Sequence, residues 1–403
     1  MRFSAQRGIQ LMNVLVNGTP LLAPLTGVGQ YIRHLFSEIS TFEEVNLSLY
    51  YGLRCEKGLK QAGTAEAIQL PTADTARGMR MAYQLLKKVV PRPRELRRFA
   101  EKLSFTYHAG KDGGAIYHEP NFFPLPYKGP TVVTVHDLSC FDHPETHPRE
   151  RVDITLRELP PAMARADHVI VVSHATANAV QQRFGVESER LSVTHLAADQ
   201  RFHPRPKETL AGPLAELGLQ PGRYLLCVGT LEPRKNLGTL FQAYAQLPAA
   251  IRKHYPLVVV GMSGWHTDAL EKQAAAMVAR GELRLLGYQP DAVIPLVYAG
   301  AAAFVYPSIY EGFGLPPLEA MASGVPVITS NRTSLPEVVG HGGLMVDPMD
   351  VDAFCNHLTE LIEDEHTAAI WRTRGLEQAA RFSWARCAQE TVDVYRQVAA
   401  TRG

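Results

Sequence analysis

Eight short, largely apolar runs limit what this chain can fold into. They lie at 11–16, 131–135, 168–172, 224–228, 257–260, 283–286, 303–306 and 325–329. Amphipathic helical patterns at 28–40, 175–184, 237–247 and 267–280 separate many of them. Apolar strands alternating with such helices specify parallel sheets covered on both faces. Two series occur, before and after about residue 205, joined by a proline- and glycine-rich stretch at 198–223. The pattern predicts an α/β fold of two Rossmann-like, doubly wound domains facing across a cleft, at 11–205 and 206–382. A helix within 383–403 follows and is a candidate to pack back on the first domain. Ligands of open α/β sheets bind at the carboxyl ends of the strands, so the chemistry is sought there.

The 403 residues and 46% apolar content suffice for two cores. A net charge of +1 argues against a nucleic-acid binder that works by bulk charge. Cys55, Cys140, Cys227, Cys355 and Cys387 are odd in number and scattered, with no Cys-x-x-Cys pair. That points to a reducing, cytoplasmic compartment and away from a zinc ribbon. No apolar run reaches the roughly 20 residues that span a bilayer. The opening MRFSAQRGIQLMNVLVNG lacks a small-residue cleavage site and reads as a short leader, 1–10, before the first strand. One local charge concentration stands out, RGMRMAYQLLKKVVPRPRELRRFAEKL at 77–103. It is either a solvated basic helix or a segment that lies on anionic lipid at the inner face of the plasma membrane.

The densest chemistry is in YPSIYEGFGLPPLEAMASGVPVIT, 306–329. Glu311 and Glu319 flank Gly312, Gly314, Pro316 and Pro317. The prolines suit the first turn of a helix, read as 318–323 with Glu319 in that turn. The glycines let the backbone of Phe313, Gly314 and Leu315 approach an anion. Glu319 is placed to accept paired hydrogen bonds from a ribose-like diol. Glu311, on the loop, is placed to meet a second set of hydroxyls. In GTLEPRKNLGTLFQAY, 229–244, Asn236 is expected to cap a helix. Arg234 and Lys235 then stand at its start, suited to a diphosphate leaving group without a metal. Gly27 and Gly29 are read as preceding the helix after the first strand. Position 32 is Ile, so the full dinucleotide fingerprint fails, and close approach to a phosphate or sugar is what remains. His136 and Asp137 end a strand in TVVTVHDLS, and His118 ends another. The His143/His147 spacing is interrupted by Pro144 and Pro148, which disfavours a metal site. Asp350 and Asp352 are read as a helix start, and no metal site is expected.

Together these motifs resemble the retaining glycosyltransferases of family GT4, with the two-Rossmann architecture called GT-B. The likeness runs through nearly the whole chain. It is strongest at Glu311–Glu319, which matches the family's Glu-x7-Glu, at 229–236, and at SLPEVVGHGGLMVDP, 334–348. It implies an acceptor-binding first domain and a donor-binding second domain. Glu319 would hold the nucleotide ribose, Glu311 the donor sugar, Arg234 and Lys235 the diphosphate. Gly27–Gly29 would lie against donor phosphate or acceptor, and His136 would line the reaction centre. Ser173 and Thr176 resemble the family's motif near the cleft. Asn17 and His341 stand where acids are common in the family. The donor implied is GDP-mannose or GDP-rhamnose, with UDP-sugars as the alternative, and no separate cofactor. The acceptor implied is a glycan or lipid-linked glycan, as in bacterial mannosyl- and rhamnosyltransferases of O-antigen or exopolysaccharide synthesis. A sugar-nucleotide epimerase or a non-catalytic sugar-nucleotide sensor on the same fold are the competing readings.

Overall fold

The computed structural model describes residues 11–22, 27–52, 54–59, 93–111, 114–262, 264–265 and 268–401. The leader at 1–10 and the 77–92 part of the basic segment lie outside them. Seven strands form the first sheet: β1 Met12–Asn17, β2 Val45–Tyr50, β3 Cys55–Lys57, β4 Ile116–Glu119, β5 Thr131–Val135, β6 His168–Val171 and β7 Leu191–Val193. Six form the second: β8 Leu225–Val228, β9 Leu257–Val260, β10 Leu283–Gly287, β11 Ala303–Tyr306, β12 Val327–Ser330 and β13 Leu344–Val346. The orders are β3-β2-β1-β4-β5-β6-β7 and β10-β9-β8-β11-β12-β13.

Both orders reverse beside their first strand, the doubly wound Rossmann arrangement. The reversal falls between β1 and β4 in one sheet and between β8 and β11 in the other. Every residue of β4, β5, β6, β9, β11 and β12 is buried, as strands covered on both faces must be. The edge strands β3, β7 and β10 are mixed or exposed. β3 pairs antiparallel to β2, and its Cys-Glu-Lys sequence carries no apolar signal.

Contacts group the chain into two compact units. One holds 1–134, 165–168 and 392–403, the other 135–164 and 169–391. The expected join at 205/206 falls between β7 and β8. The stretch at 198–223 is not structureless, because Lys207–Glu216 forms a helix in it with Leu210 and Leu214 buried. The final helix is Trp384–Ala400, and the Tyr395 hydroxyl lies 2.6 Å from His118 Nδ1. His118 Nε2 meets Thr134 Oγ1 at 2.8 Å, so both its nitrogens are used inside the fold. A helix at Pro93–Lys111 buries Phe105 and Ala109 against Tyr50 and Tyr117. Leu103 and Tyr107, also four apart, face outward at 57% and 61% exposure.

Candidate active site

The second sheet reverses between β8 and β11, so the loops after these strands are neighbours. They carry Arg234 and Lys235 on one side and Glu311 on the other. The backbone ties them first: Ile309 N–H donates to the Arg234 carbonyl at 3.0 Å. Side chains then close the network. Arg234 donates to Glu311 Oε2 at 3.0 Å, to the Tyr310 carbonyl at 2.6 Å and to Glu232 Oε1 at 2.6 Å. Lys235 Nζ donates to Glu311 Oε1 and to the Tyr306 hydroxyl, both at 2.6 Å. Ser308 adds a third bond to the Glu311 carboxylate, at Oε1.

This corrects the expectation of two open cations at a helix start. The Arg234, Lys235 and Glu311 side chains are only 12%, 10% and 9% exposed. Two buried cations need charge partners, and Glu311 and Glu232 supply them. Burial alone would raise the Glu311 carboxyl, but Arg234 and Lys235 outweigh it and hold it at about 2. Burial and then Arg234 push the Lys235 ammonium below its ordinary value. Arg234 stays charged, raised by Glu311 and Asp137 against its own burial. Its Nε is buried without a hydrogen-bond partner among the described residues. Glu311 is therefore not a free loop acid. Both its oxygens are spent on orienting the two cations.

Asn236 occupies the position before the helix Leu237–Gln246 but does not cap it. It adopts the left-handed conformation, and its amide bridges the Pro307 and Pro348 carbonyls at 3.1 and 2.7 Å. The glycine-threaded loop after β11 is held as tightly. Ser334 Oγ donates to the carbonyls of Glu311 and Phe313, and Ser173 Oγ to that of Gly312 at 2.6 Å. A Cβ on Gly312 would lie 1.8 Å from the His136 carbonyl oxygen, so only glycine fits against the end of β5. Gly314 turns the chain at φ 112 into the helix Leu315–Ala322. That helix starts three residues earlier than expected. Glu319 consequently lies in its second turn. Pro316 and Pro317 have no N–H, and the Gly314 and Leu315 N–H groups have no hydrogen-bond partner among the described residues.

Glu319 is half-buried, and its ionisation is set differently from that of Glu311. Burial raises its carboxyl to about 8, with the nearby Tyr298 hydroxyl lowering it and Asp199 adding to the rise. The Tyr298 hydroxyl makes no hydrogen bond of full geometry among the described residues. One glutamate of the pair is thus fixed as an anion and the other held neutral until something stabilises its charge.

His136 is half-buried at the end of β5. Its neighbour Asp137 accepts from Ser139 N–H and Oγ at 2.9 and 2.6 Å. Burial opposes the Asp137 charge, but Arg234 and Ser139 hold its carboxyl below the ordinary value. His147 Nε2 meets Ser139 Oγ at 2.9 Å. Ser173 caps the helix His174–Phe184 through the Thr176 N–H at 3.1 Å. Gly27 and Gly29 do not precede a helix: they are the first and third residues of Gly27–Ile39, and belong to the other compact unit. Sequence reasoning missed Glu232, Ser308, Ser334 and Thr333, whose Oγ1 accepts the Glu311 N–H at 2.9 Å, as parts of this network. An acid two residues before a buried Arg-Lys pair was the available signal for Glu232.

Among the described residues, His174, His195 and Glu337 could bring metal-ligating atoms within 4.8 Å of one another. The arrangement has a sufficient account without an ion. Glu337 accepts the His174 and Ala175 N–H groups of a helix start and lies 2.5 Å from His195 Nε2. Asp350 accepts the Ala353 N–H at 2.9 Å and caps the helix Val351–Glu363.

Comparison with known proteins gives this geometry a family. Residues 216–378 match the family Glycosyl transferases group 1, and residues 74–201 match Glycosyltransferase Family 4. The chain is 36% identical over 387 residues to O-antigen chain mannosyltransferase B of Escherichia coli, covering 96% of this chain and 100% of that protein. The chain belongs to the family 4 glycosyltransferases. Two solved structures share its fold. Sucrose-phosphate synthase from Thermosynechococcus elongatus has a TM-score of 0.70 at 20% identity, covering 97% of this chain and 100% of that one. WaaG, a glycosyltransferase involved in lipopolysaccharide biosynthesis, has a TM-score of 0.68 at 16% identity, covering 95% and 99%. The fold is GT-B, and this family 4 enzyme is a hexosyltransferase.

Proposed function

We propose that this glycosyltransferase moves mannose, or its 6-deoxy relative, from a GDP-sugar to a glycan or lipid-linked glycan acceptor, with retention at the anomeric carbon. Full-length similarity to an O-antigen mannosyltransferase carries the choice of sugar and pathway. The site supports the chemistry. A sugar nucleotide has a ribose diol, a diphosphate and a hexose. Glu319 meets the ribose. Arg234, Lys235 and the open N–H groups of Gly314 and Leu315 meet the diphosphate, whose charge grows as the glycosidic bond breaks. Phe313 packs beside this turn, and His136 lines the reacting carbon. Glu311 acts through the cations it orients.

Retention is supported by the likeness to the retaining family and by the lack of an assigned carboxylate base opposite the leaving group among the described residues. Glu311 is committed to Arg234 and Lys235, so the leaving diphosphate itself takes the proton of the incoming hydroxyl. The described residues contain no helix long and apolar enough to cross a membrane. A position at the inner face of the plasma membrane is proposed instead. The outward Leu103 and Tyr107 of the helix Pro93–Lys111, with Lys102 beside them, would lie on anionic lipid. Thermal stabilisation by nucleotides tests the donor assignment, because a ligand that binds only the folded state raises its stability by mass action. GDP is expected to raise the melting temperature more than UDP or ADP. A larger shift with UDP would overturn the GDP assignment.

A further inference from the structure

The first sheet has its own reversal point, between β1 and β4, and a buried carboxyl that the donor site does not use lies there. Glu119 ends β4 at 1% exposure. Three donors converge on it. Asn17 Nδ2 at the end of β1 and the Tyr117 hydroxyl reach Oε2 at 2.8 and 2.7 Å, and the Asn121 N–H reaches Oε1 at 3.0 Å. Burial raises its carboxyl to about 8 against the pull of these bonds. A buried acid without a cation is costly, so its place calls for a reason.

The loop it holds supplies one. Phe122 takes the left-handed conformation at φ 66, which an aromatic residue rarely adopts. The loop is pinned on both sides of that strain. Phe122 N–H donates to the Thr134 carbonyl at 3.1 Å, Phe123 N–H to the Asn121 carbonyl at 2.8 Å, and Leu125 N–H to the Tyr117 hydroxyl at 3.2 Å. The result is a half-buried pair of aromatic rings, Phe122 and Phe123, 5.8 Å apart, directly after the half-buried Asn121 with its side-chain amide. That amide has no hydrogen-bond partner among the described residues. Two aromatic rings that directly follow an asparagine, at the reversal point of a doubly wound sheet, offer the two kinds of group that a pyranose ring needs, an apolar surface and a hydroxyl partner.

We infer that the Asn121-Phe122-Phe123 turn is a subsite for the acceptor's terminal sugar ring and that Glu119 is its positioning residue. The inference rests on the glycosyl transfer proposed above. Glu119 touches no substrate. It fixes the backbone of Asn121, so that the amide donates to and accepts from ring hydroxyls while Phe122 and Phe123 cover the apolar face.

The variants Glu119→Gln and Asn121→Ala, assayed with GDP-mannose and octyl α-D-mannopyranoside, test this. Glutamine keeps an oxygen for Asn17 and Tyr117 but turns an NH₂ toward the Asn121 N–H, losing that bond alone. Glu119→Gln is expected to raise the acceptor KM about tenfold, the size of one lost hydrogen bond. The donor KM and the rate of donor hydrolysis without acceptor are expected to stay at wild-type values. Asn121→Ala is expected to raise the acceptor KM with no change in melting temperature, and it decides the matter if Glu119→Gln does not fold. An unchanged acceptor KM in Asn121→Ala, or acceptor and donor KM rising together in both variants, would overturn the subsite. Failure of the wild-type enzyme to transfer from any sugar nucleotide would instead overturn the reading on which it rests.

Discussion

Glu311 and Glu319 have the same side chain and opposite ionisation, and each makes a pH-dependent statement. Glu311 is held at about 2 against an ordinary 4.5. A depressed carboxyl contributes stability that is full above pH 4.5 and is lost as pH falls toward 2. Glu311→Gln removes the one carboxylate that bonds both buried cations, leaving Glu232 and the nearby Asp137, and is expected to cost about 3–5 kcal/mol, read by denaturant unfolding. A loss of a few tenths would mean that the network is not what holds the loops. Glu319 is raised from 4.5 to about 8, so the sign reverses. Its contribution is full below pH 4.5 and is lost as pH rises through 8. If ribose hydroxyls donate to its carboxylate, binding must release a proton. GDP affinity is then expected to rise from about pH 6 to 8 in the wild type and to be flat in Glu319→Gln. Calorimetry in buffers of different ionisation enthalpy reads the released proton, and equal pH dependence in both proteins would refute the assignment.

At the scale of elements, the close packing of the loop after β11 against the end of β5 makes Gly312 a sharp test. Gly312→Ala puts a methyl 1.8 Å from the His136 carbonyl. Overpacking of this kind costs about 1–3 kcal/mol, and here it also shifts the turn that carries Phe313 and Gly314. Thermal unfolding and turnover are expected to fall together, whereas a fully active, fully stable variant would contradict the packing. The buried parallel strands were legible because continuous apolar runs leave no other place for them, and β5, β9 and β11 begin and end where the sequence places them. β2 was not, since its VNLSLY mixes polar residues into a strand that is nonetheless mostly buried. Nor was the helix Lys207–Glu216, whose Pro213 and Gly212 disguise it as linker. In the site, the residue types at 234, 235, 311 and 319 were readable from spacing. Their pairing was not, because the choice between an open cation and a neutralised one is made by tertiary neighbours such as Glu232 and Ser308.

In the whole molecule, the proposed leaving-group stabilisation rests on Arg234, Lys235 and backbone N–H groups. Transfer is therefore expected to survive excess EDTA. Activity that vanishes with chelator and returns with Mg²⁺ or Mn²⁺ would move that role to a metal. The basic segment 77–103 carries the proposed lipid contact, and Leu103 is exposed at its described end. Sedimentation with vesicles is expected to be stronger on anionic than on neutral lipid, and weaker in high salt. Equal pelleting with both would count against it. Movement of a sugar from GDP with its configuration kept is measured directly by NMR of the first product formed from GDP-α-mannose. An α-mannosidic linkage is the expected result. A β-linkage, or product only from UDP-sugars, would contradict the account.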